Sequence, residues 1–289
     1  MVVKWLSAQD DHKQLRVFVE QSLARPFNED TEPLTPSQIR ANALPLREIP
    51  TETHRLAICA IDVQKGWLSV HVLLFASPAH AVIVDRREFY GDIDRLDGSA
   101  WTQCKDWLNT KPMYNGFGVK STVIDTSWQT DMTVLNGTRM RQPRTYFVKG
   151  GHGFNHPLIK QAVNPRIRGL RYPLLMVGVD GIKRSLRKWY GTGQFRIVDT
   201  LPENVERELT SEVLVKHKSH GRIRPRWEQI DERNEALDAS VYAIAALHAA
   251  GYTQEMIGRI ARKVPKAKAK AKARRPNTLE RLRATGDFS

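Results

Sequence analysis

Residues 56–62 read LAICAID and residues 119–125 read VKSTVID, so two apolar runs end in the same Ile-Asp pair. Both runs contain β-branched residues and have the length of buried strands. A carboxylate at the end of a buried strand costs free energy unless its charge is compensated. A divalent cation shared by several carboxylates provides that compensation, and oxygen ligands suit Mg²⁺ or Mn²⁺. The two runs therefore predict neighbouring central strands with Asp62 and Asp125 at a metal-binding edge.

A third acid, Asp238, lies in an apolar helical pattern over residues 234–250. A helix packed across the sheet edge would bring its carboxylate to the other two. Glu235 lies three residues before Asp238 and shares its helix face. Glu235 is then an extra ligand, a residue that supports a ligand, or a solvated acid. For each aspartate the alternative is that it ends its strand and caps the next turn.

Around these acids the pattern is that of an α/β domain. Residues 55–90 predict a three-stranded antiparallel meander with its first turn at 64–66, and residues 101–108 predict a helix. A strand, helix, strand order then suits a parallel crossover into residues 119–125. We predict a linker over residues 1–50, one domain over 51–252 and a basic, disordered C-terminal tail over 253–289.

The formal charge of +14 and the pI near 9.9 make nucleic acid the leading partner class, ahead of an acidic membrane surface. The chain has no apolar stretch long enough to span a membrane, and its N-terminus lacks the apolar core of a signal peptide. We therefore expect a cytoplasmic protein that is neither secreted nor membrane-bound. Its two cysteines predict neither a disulfide framework nor a zinc cluster.

Basic residues that could contact DNA phosphates occur in the second half of the chain. The candidates in the domain are Lys149, Arg166, Arg168, Lys183, Arg184 and Arg187, and those in the tail are Lys266, Lys268 and Lys270. Residues 262–275 hold eight basic residues and no acid. The alternative is that these charges only form solvated faces.

Six short segments, taken in order, carry a resemblance to a known family. They are AIDVQ at 60–64, GDID at 91–94, VIDTS at 123–127, FVKG at 147–150, VGVD at 177–180 with Lys183, and RNEALD at 233–238. Over residues 50–250 the chain resembles the nuclease domain of the large terminase subunit of tailed bacteriophages, of the GpA type. RNEALD is the most specific of the six motifs.

The resemblance implies an RNase H-like mixed sheet flanked by helices. It also implies an endonuclease that cuts concatemeric, double-stranded viral DNA with two Mg²⁺ or Mn²⁺ ions. In that reading Asp62, Asp125 and Asp238 bind the metals. From the position of Asp62 on the first strand we expect it to bridge both ions. Lys149 would contact the DNA near the cut. The implied partners are an ATPase region, a small terminase subunit and a portal.

The chain departs from the family pattern in two places. After Asp125 the family continues with a Gly-rich stretch and a His-Thr pair, whereas residues 126–131 read TSWQTD, which leaves the role of Asp131 open. A Walker-type phosphate loop is missing from the sequence. We therefore expect the nuclease half of a longer protein or the product of a split gene, with residues 18–23 resembling the end of the ATPase region.

Two other functions remain open. One is a resolvase-like or transposase-like nuclease, which shares the fold and the chemistry but needs a second DNA-recognition domain. The other is a non-catalytic, basic DNA-binding packaging protein with a degenerate nuclease fold. The three acids at the predicted metal positions argue against degeneration.

Overall fold

The computed structural model describes residues 34–140, 142, 144–219 and 222–261. Its helices are α1 Pro36–Ala41, α2 Ser99–Asn109, α3 Thr130–Arg139, α4 Val179–Gly191, α5 Asn204–Leu209, α6 Glu235–Ala249 and α7 Gln254–Gly258. Its strands are β1 Leu56–Gln64, β2 Trp67–Ser77, β3 His80–Tyr90, β4 Met113–Tyr114, β5 Phe117–Asp125, β6 Thr145–Gly151, β7 Ile159–Val163, β8 Arg166–Ile167, β9 Leu170–Arg171, β10 Leu174–Gly178, β11 Phe195–Ile197, β12 Glu212–Ser219 and β13 Arg222–Gln229.

The main sheet is mixed and has the order β11-β3-β2-β1-β5-β6-β10-β7, with β4 attached to β5. Strands β1, β2 and β3 form the expected antiparallel meander. Strands β1, β5, β6 and β10 are parallel to one another, so their carboxyl ends lie at one edge of the sheet, called here the carboxyl edge. Strands β12 and β13 form a separate two-stranded hairpin.

Helices cover both faces of the sheet, because strand side chains alternate between the faces. On one face, Cys59 of β1 lies near Cys104 of α2, and α3 packs on Ile124 of β5. On the other face, α6 crosses β1, β2 and β5, and α4 packs beside it. This is the predicted α/β architecture. Among the described residues, every helix is too short or too polar to cross a membrane.

Both flanks of the predicted domain pack on its body where the structure describes them. Ile39 and Ile49 on the N-terminal side are 1% and 2% exposed, and Ile257 of α7 is 0% exposed. The Arg55 guanidinium donates to the Gly258 carbonyl oxygen over 2.7 Å. The folded unit therefore extends beyond the predicted boundaries at 51 and 252. Residues 1–33 and 262–289, which hold most of the predicted linker and tail, lie outside the described residues.

The close approach of α3 to the sheet depends on Gly137. A Cβ atom at this position would lie 2.6 Å from Ile124 Cδ1 and 2.7 Å from Phe147 Cε1, which is closer than van der Waals contact. We expect Gly137→Ala to lower the free energy of unfolding by about 1–3 kcal/mol through overpacking. Urea denaturation measures the change. Gly181→Ala is the control, since a Cβ atom there meets nothing within 4 Å.

Candidate active site

The three predicted aspartates lie together at the carboxyl edge. Ile61 pairs with Ile124 in the parallel β1–β5 ladder, so the residues that follow them, Asp62 and Asp125, lie side by side on adjacent strands. Asp238 lies in the first turn of α6, which crosses both strands. The negative charges of Asp238 and Asp125 help to raise the pKa of Asp62, after burial as the main cause.

Tyr242, one helical turn after Asp238, is in contact with the same cluster. Its hydroxyl donates a hydrogen bond to the Asp125 carboxylate, and burial followed by the charges of the three aspartates raises the pKa of Tyr242. Sequence analysis did not single out this tyrosine as a site residue. Its position at i+4 from Asp238 on the same helix face was the available signal.

Asp62 and Asp125 are buried acids, at 3% and 4% exposure. The Gln64 amide donates to Asp62 Oδ2 over 2.8 Å. The Ser127 hydroxyl and backbone N–H donate to Asp125 Oδ1 over 2.9 and 3.2 Å. Within the described part of the chain, neither aspartate forms an ion pair with a basic side chain. These hydrogen bonds oppose, but do not cancel, the rise in pKa that burial causes at both aspartates.

Asp238 has a different environment. Lys183 Nζ lies 2.9 Å from Asp238 Oδ1 and 2.6 Å from Glu212 Oε1. The Asn234 amide donates to Asp238 Oδ2 and to Glu212 Oε1, both over 3.0 Å. Lys183 is 7% exposed, so one buried ammonium forms ion pairs with two carboxylates. Burial raises the pKa of Asp238, and the positive charge of Lys183 opposes that shift.

Glu235 is buried, at 4% exposure, which excludes its reading as a solvated acid. The Arg233 guanidinium donates to Glu235 Oε2 over 3.2 Å and also pairs with Glu88. Arg86 pairs in turn with Glu88 and with Glu208, both over 2.6 Å. Glu208 Oε2 accepts from the Ala236 backbone N–H over 3.2 Å. This ion-pair network ties the start of α6, and with it Asp238, to β3 and α5.

Carboxylate oxygens are the donors that Mg²⁺ and Mn²⁺ prefer, and the two buried acids without ion pairs need a cation. The chemistry of the donors therefore fits a divalent metal. In the described part of the chain, however, no three His, Cys, Asp or Glu side chains are arranged to hold a metal ion as they stand. The Lys183 ammonium lies instead against the one aspartate that comes from a helix.

The predicted DNA-contacting residues of the domain are spread over the fold. Lys149 is exposed on β6 near the carboxyl edge. Arg166 and Arg168 are exposed on the β8–β9 hairpin, which leads into the start of β10 and therefore lies toward the opposite edge. The Arg184 guanidinium lies over the Phe154 ring, with 4.4 Å from Cζ to the ring centroid.

The remaining candidates lie elsewhere. Lys183 does not present its ammonium to solvent, since that group is buried between Glu212 and Asp238. Arg187 is half-buried beside a small cavity. Lys266, Lys268 and Lys270 lie outside the described residues.

The burial of Asp125 predicts a pH effect on stability. Burial raises the pKa of Asp125 to about 6, whereas an unfolded aspartate titrates near 3.9. The folded state then binds the proton more tightly, so the free energy of unfolding of metal-free protein should rise as pH falls from 7 through 6 toward 4. The shift of about two pKa units corresponds to at most roughly 3 kcal/mol.

Asp125→Asn removes this titration. We expect the variant to be more stable than the wild type at pH 7 in EDTA, and the difference to vanish near pH 4. Urea denaturation between pH 4 and 8 measures both. Parallel stability curves for the two proteins would contradict the prediction.

An α/β sheet with buried aspartates at its carboxyl edge is the arrangement expected of an RNase H-like nuclease domain. The family described as the endonuclease domain of the terminase large subunit gpA matches residues 1–257, and this chain belongs to that family. Family membership confirms the resemblance, and the mixed sheet flanked by helices agrees with the predicted fold class. It also makes the chain a terminase-type endonuclease domain.

The large terminase subunit of Enterobacteria phage P21 is 26% identical over 273 residues, which cover 86% of this chain and 41% of that protein. This chain thus spans less than half the length of that relative.

Two solved structures are also similar. The magnesium-bound large terminase nuclease of thermophilic phage G20c is 11% identical, with a TM-score of 0.39 over 72% of this chain and 96% of that one. The manganese-soaked terminase nuclease domain of human cytomegalovirus is 10% identical, with a TM-score of 0.33 over 58% and 78%.

Proposed function

We propose that this chain is the endonuclease part of a viral DNA-packaging terminase and cuts concatemeric double-stranded DNA by two-metal phosphodiester hydrolysis. The observation that carries the proposal is the convergence of Asp62, Asp125 and Asp238 at the carboxyl edge. Family membership supports the reaction class, and the three aspartates are the residues of this chain that would carry out the reaction. An ATPase region on the native protein, a small terminase subunit and a portal are the proposed partners.

In this proposal Asp62, Asp125 and Asp238 would together hold two Mg²⁺ or Mn²⁺ ions. Such ions, when bound, stabilise the charge that develops on the attacking and leaving oxygens of the phosphodiester. Tyr242 and Ser127 orient the Asp125 carboxylate by donating hydrogen bonds to it. Gln64 does the same for Asp62. We propose that Lys149, which is exposed near this edge, contacts a DNA phosphate.

Lys183 has a different role from the predicted DNA contact. Its ammonium is largely buried and pairs with the carboxylates of Asp238 and Glu212. We propose that it holds the carboxylate of Asp238 in place by compensating its charge. Glu235 supports the same helix start through Arg233, and its charge acts on both Asp62 and Asp238, so it stays a proposed additional ligand.

The direct test is cleavage of supercoiled plasmid by the purified chain with Mg²⁺, Mn²⁺ or EDTA. We expect nicking and linearisation with either ion, none with EDTA, and loss of cleavage in Asp238→Asn. Asp106→Asn, which changes an exposed acid on α2, should cleave like the wild type. Cleavage retained in Asp238→Asn would refute the assignment of Asp238.

Two further outcomes separate the alternatives. Preferential cutting of a four-way DNA junction over linear duplex would favour the resolvase-like function. Tight DNA binding without cleavage, whichever metal is added, would favour the non-catalytic packaging protein, because the aspartates would then not catalyse hydrolysis.

A further inference from the structure

The hairpin of β12 and β13 stands apart from the main sheet. Its strands run over Glu212–Ser219 and Arg222–Gln229 and pair along their whole length, from Glu212 with Gln229 to Ser219 with Arg222. In the described part of the chain these strands pair only with each other. Eight residues in each strand give a ribbon of about 25 Å.

Beyond its base, this ribbon carries only basic charged residues. Between residues 213 and 227 the sequence VLVKHKSHGRIRPRW holds five Lys and Arg residues and no acid, and its two flanking acids, Glu212 and Glu228, lie at the base. Arg224 and Arg226 are both exposed. Being two residues apart on one strand, they lie on the same side of the ribbon, about 7 Å from each other.

The base of the hairpin is attached to the candidate active site. Glu212 forms an ion pair with Lys183, which also pairs with Asp238. The Trp227 indole N–H donates to the Asp180 carbonyl oxygen at the start of α4, over 3.2 Å. From Gln229, the extended strand carries Arg226 about 10 Å and Arg224 about 17 Å outward.

An open cavity of about 840 Å³ lies between the ribbon and Asp238. Arg226 and Trp227 line it from the hairpin, Lys183 from α4, and Asp238 from α6. A polyanion lying along the basic ribbon would therefore enter the side of the site that holds Asp238. The predicted contacts Arg166 and Arg168 lie toward the other edge of the sheet and offer no such path.

We propose that the β12–β13 hairpin is a DNA-gripping arm, in which Arg224 and Arg226 bind backbone phosphates of the duplex and direct it toward the aspartates. The inference rests on the proposed function and names a surface that it uses. A two-stranded ribbon fits along a groove of duplex DNA, and phosphate contacts position a duplex without reading its sequence. The arm should therefore act equally on duplexes of different sequence.

The test compares the full chain with Arg224→Ala/Arg226→Ala. Binding to two fluorescent duplexes of unrelated sequence is measured by anisotropy in EDTA from 50 to 300 mM salt. Each lost phosphate contact should reduce the slope of log K against log [salt] by about 0.9, so the double variant should lose about 1.8. Both duplexes should show the same loss.

The matched control is Arg47→Ala/Lys111→Ala, which removes two exposed positive charges at the opposite edge of the sheet. We expect its slope to equal that of the wild type. Thermal melts of all three proteins should agree, because all four changed side chains are exposed or lie outside the core. An unchanged slope in the hairpin variant, or an equal loss in both double variants, would overturn the proposal.

Cleavage assays separate this proposal from the proposed function. With Mn²⁺, the hairpin variant should cleave plasmid with a raised KM and an unchanged kcat, since the aspartates are intact. If the wild type binds DNA but never cleaves it, the nuclease function fails while the binding slopes still decide the role of the arm.

Discussion

Asp62→Asn is expected to lower metal-dependent DNA cleavage by about a thousandfold or more, which corresponds to roughly 4 kcal/mol on the activation barrier. The same variant should melt at a higher temperature than the wild type in EDTA. Asp62 is buried beside two other acids without an ion-pair partner among the described residues, and burial together with the neighbouring charges raises its pKa. An amide keeps the shape and removes the charge.

Three measurements decide this prediction: plasmid cleavage with Mn²⁺, melting in EDTA, and the rise in melting temperature on adding Mn²⁺. In Asp62→Asn the metal-induced rise should shrink, because a principal ligand is gone. Asp106→Asn, on the surface of α2, is the control and should match the wild type in all three. A variant that loses activity and also becomes less stable in EDTA would point to a purely structural role for Asp62.

Lys183→Met should lower the free energy of unfolding by about 3–5 kcal/mol and the melting temperature by roughly 10 °C. The substitution leaves the partly buried carboxylates of Asp238 and Glu212 without the ammonium that pairs with both. The defect should diminish as pH falls from 8 toward 5, because protonation removes the stranded charge. Lys188→Met, an exposed lysine on the same helix, should have little effect.

Two further experiments test why Lys183→Met loses stability. Combining it with Glu212→Gln removes one of the stranded charges and should restore part of the lost stability, as measured by a double-mutant cycle. Mn²⁺ should raise the melting temperature of Lys183→Met more than that of the wild type, because the ion supplies the missing positive charge. Equal Mn²⁺ shifts in both proteins would show that Lys183 and the metal act on different groups.

Sequence patterns located most of the main sheet because its central strands are buried. Strands covered on both faces need long apolar runs, and β1, β2 and the second half of β5 have them. The long helix α6 was predicted within one residue at each end for the same reason, since its apolar face must pack on the sheet. The short strands β7 and β11 were missed because tertiary pairing, not local pattern, makes them strands.

The β12–β13 hairpin was also missed, although the sequence held a signal for it. His220-Gly221 separates two runs with β-branched and aromatic residues, which is typical of a hairpin turn. The basic residues between them obscured the pattern, because both faces of a ribbon that stands apart from the core can be polar. Its attachment beside Asp238 follows from the Glu212–Lys183 ion pair and could not be read locally.

By itself the sequence determined the family through the resemblance of its six motifs. It also determined the α/β class and the three aspartates as a candidate set, because strand ends and helix spacing are local properties. Only the tertiary structure decided which charges face each other. It placed Lys183 inside the protein between Glu212 and Asp238, and it separated Arg166 and Arg168 from the carboxyl edge. The physical reason is that the energy of a charge depends on burial and on neighbours distant in sequence, which the packing of α4, α6 and the hairpin brings together.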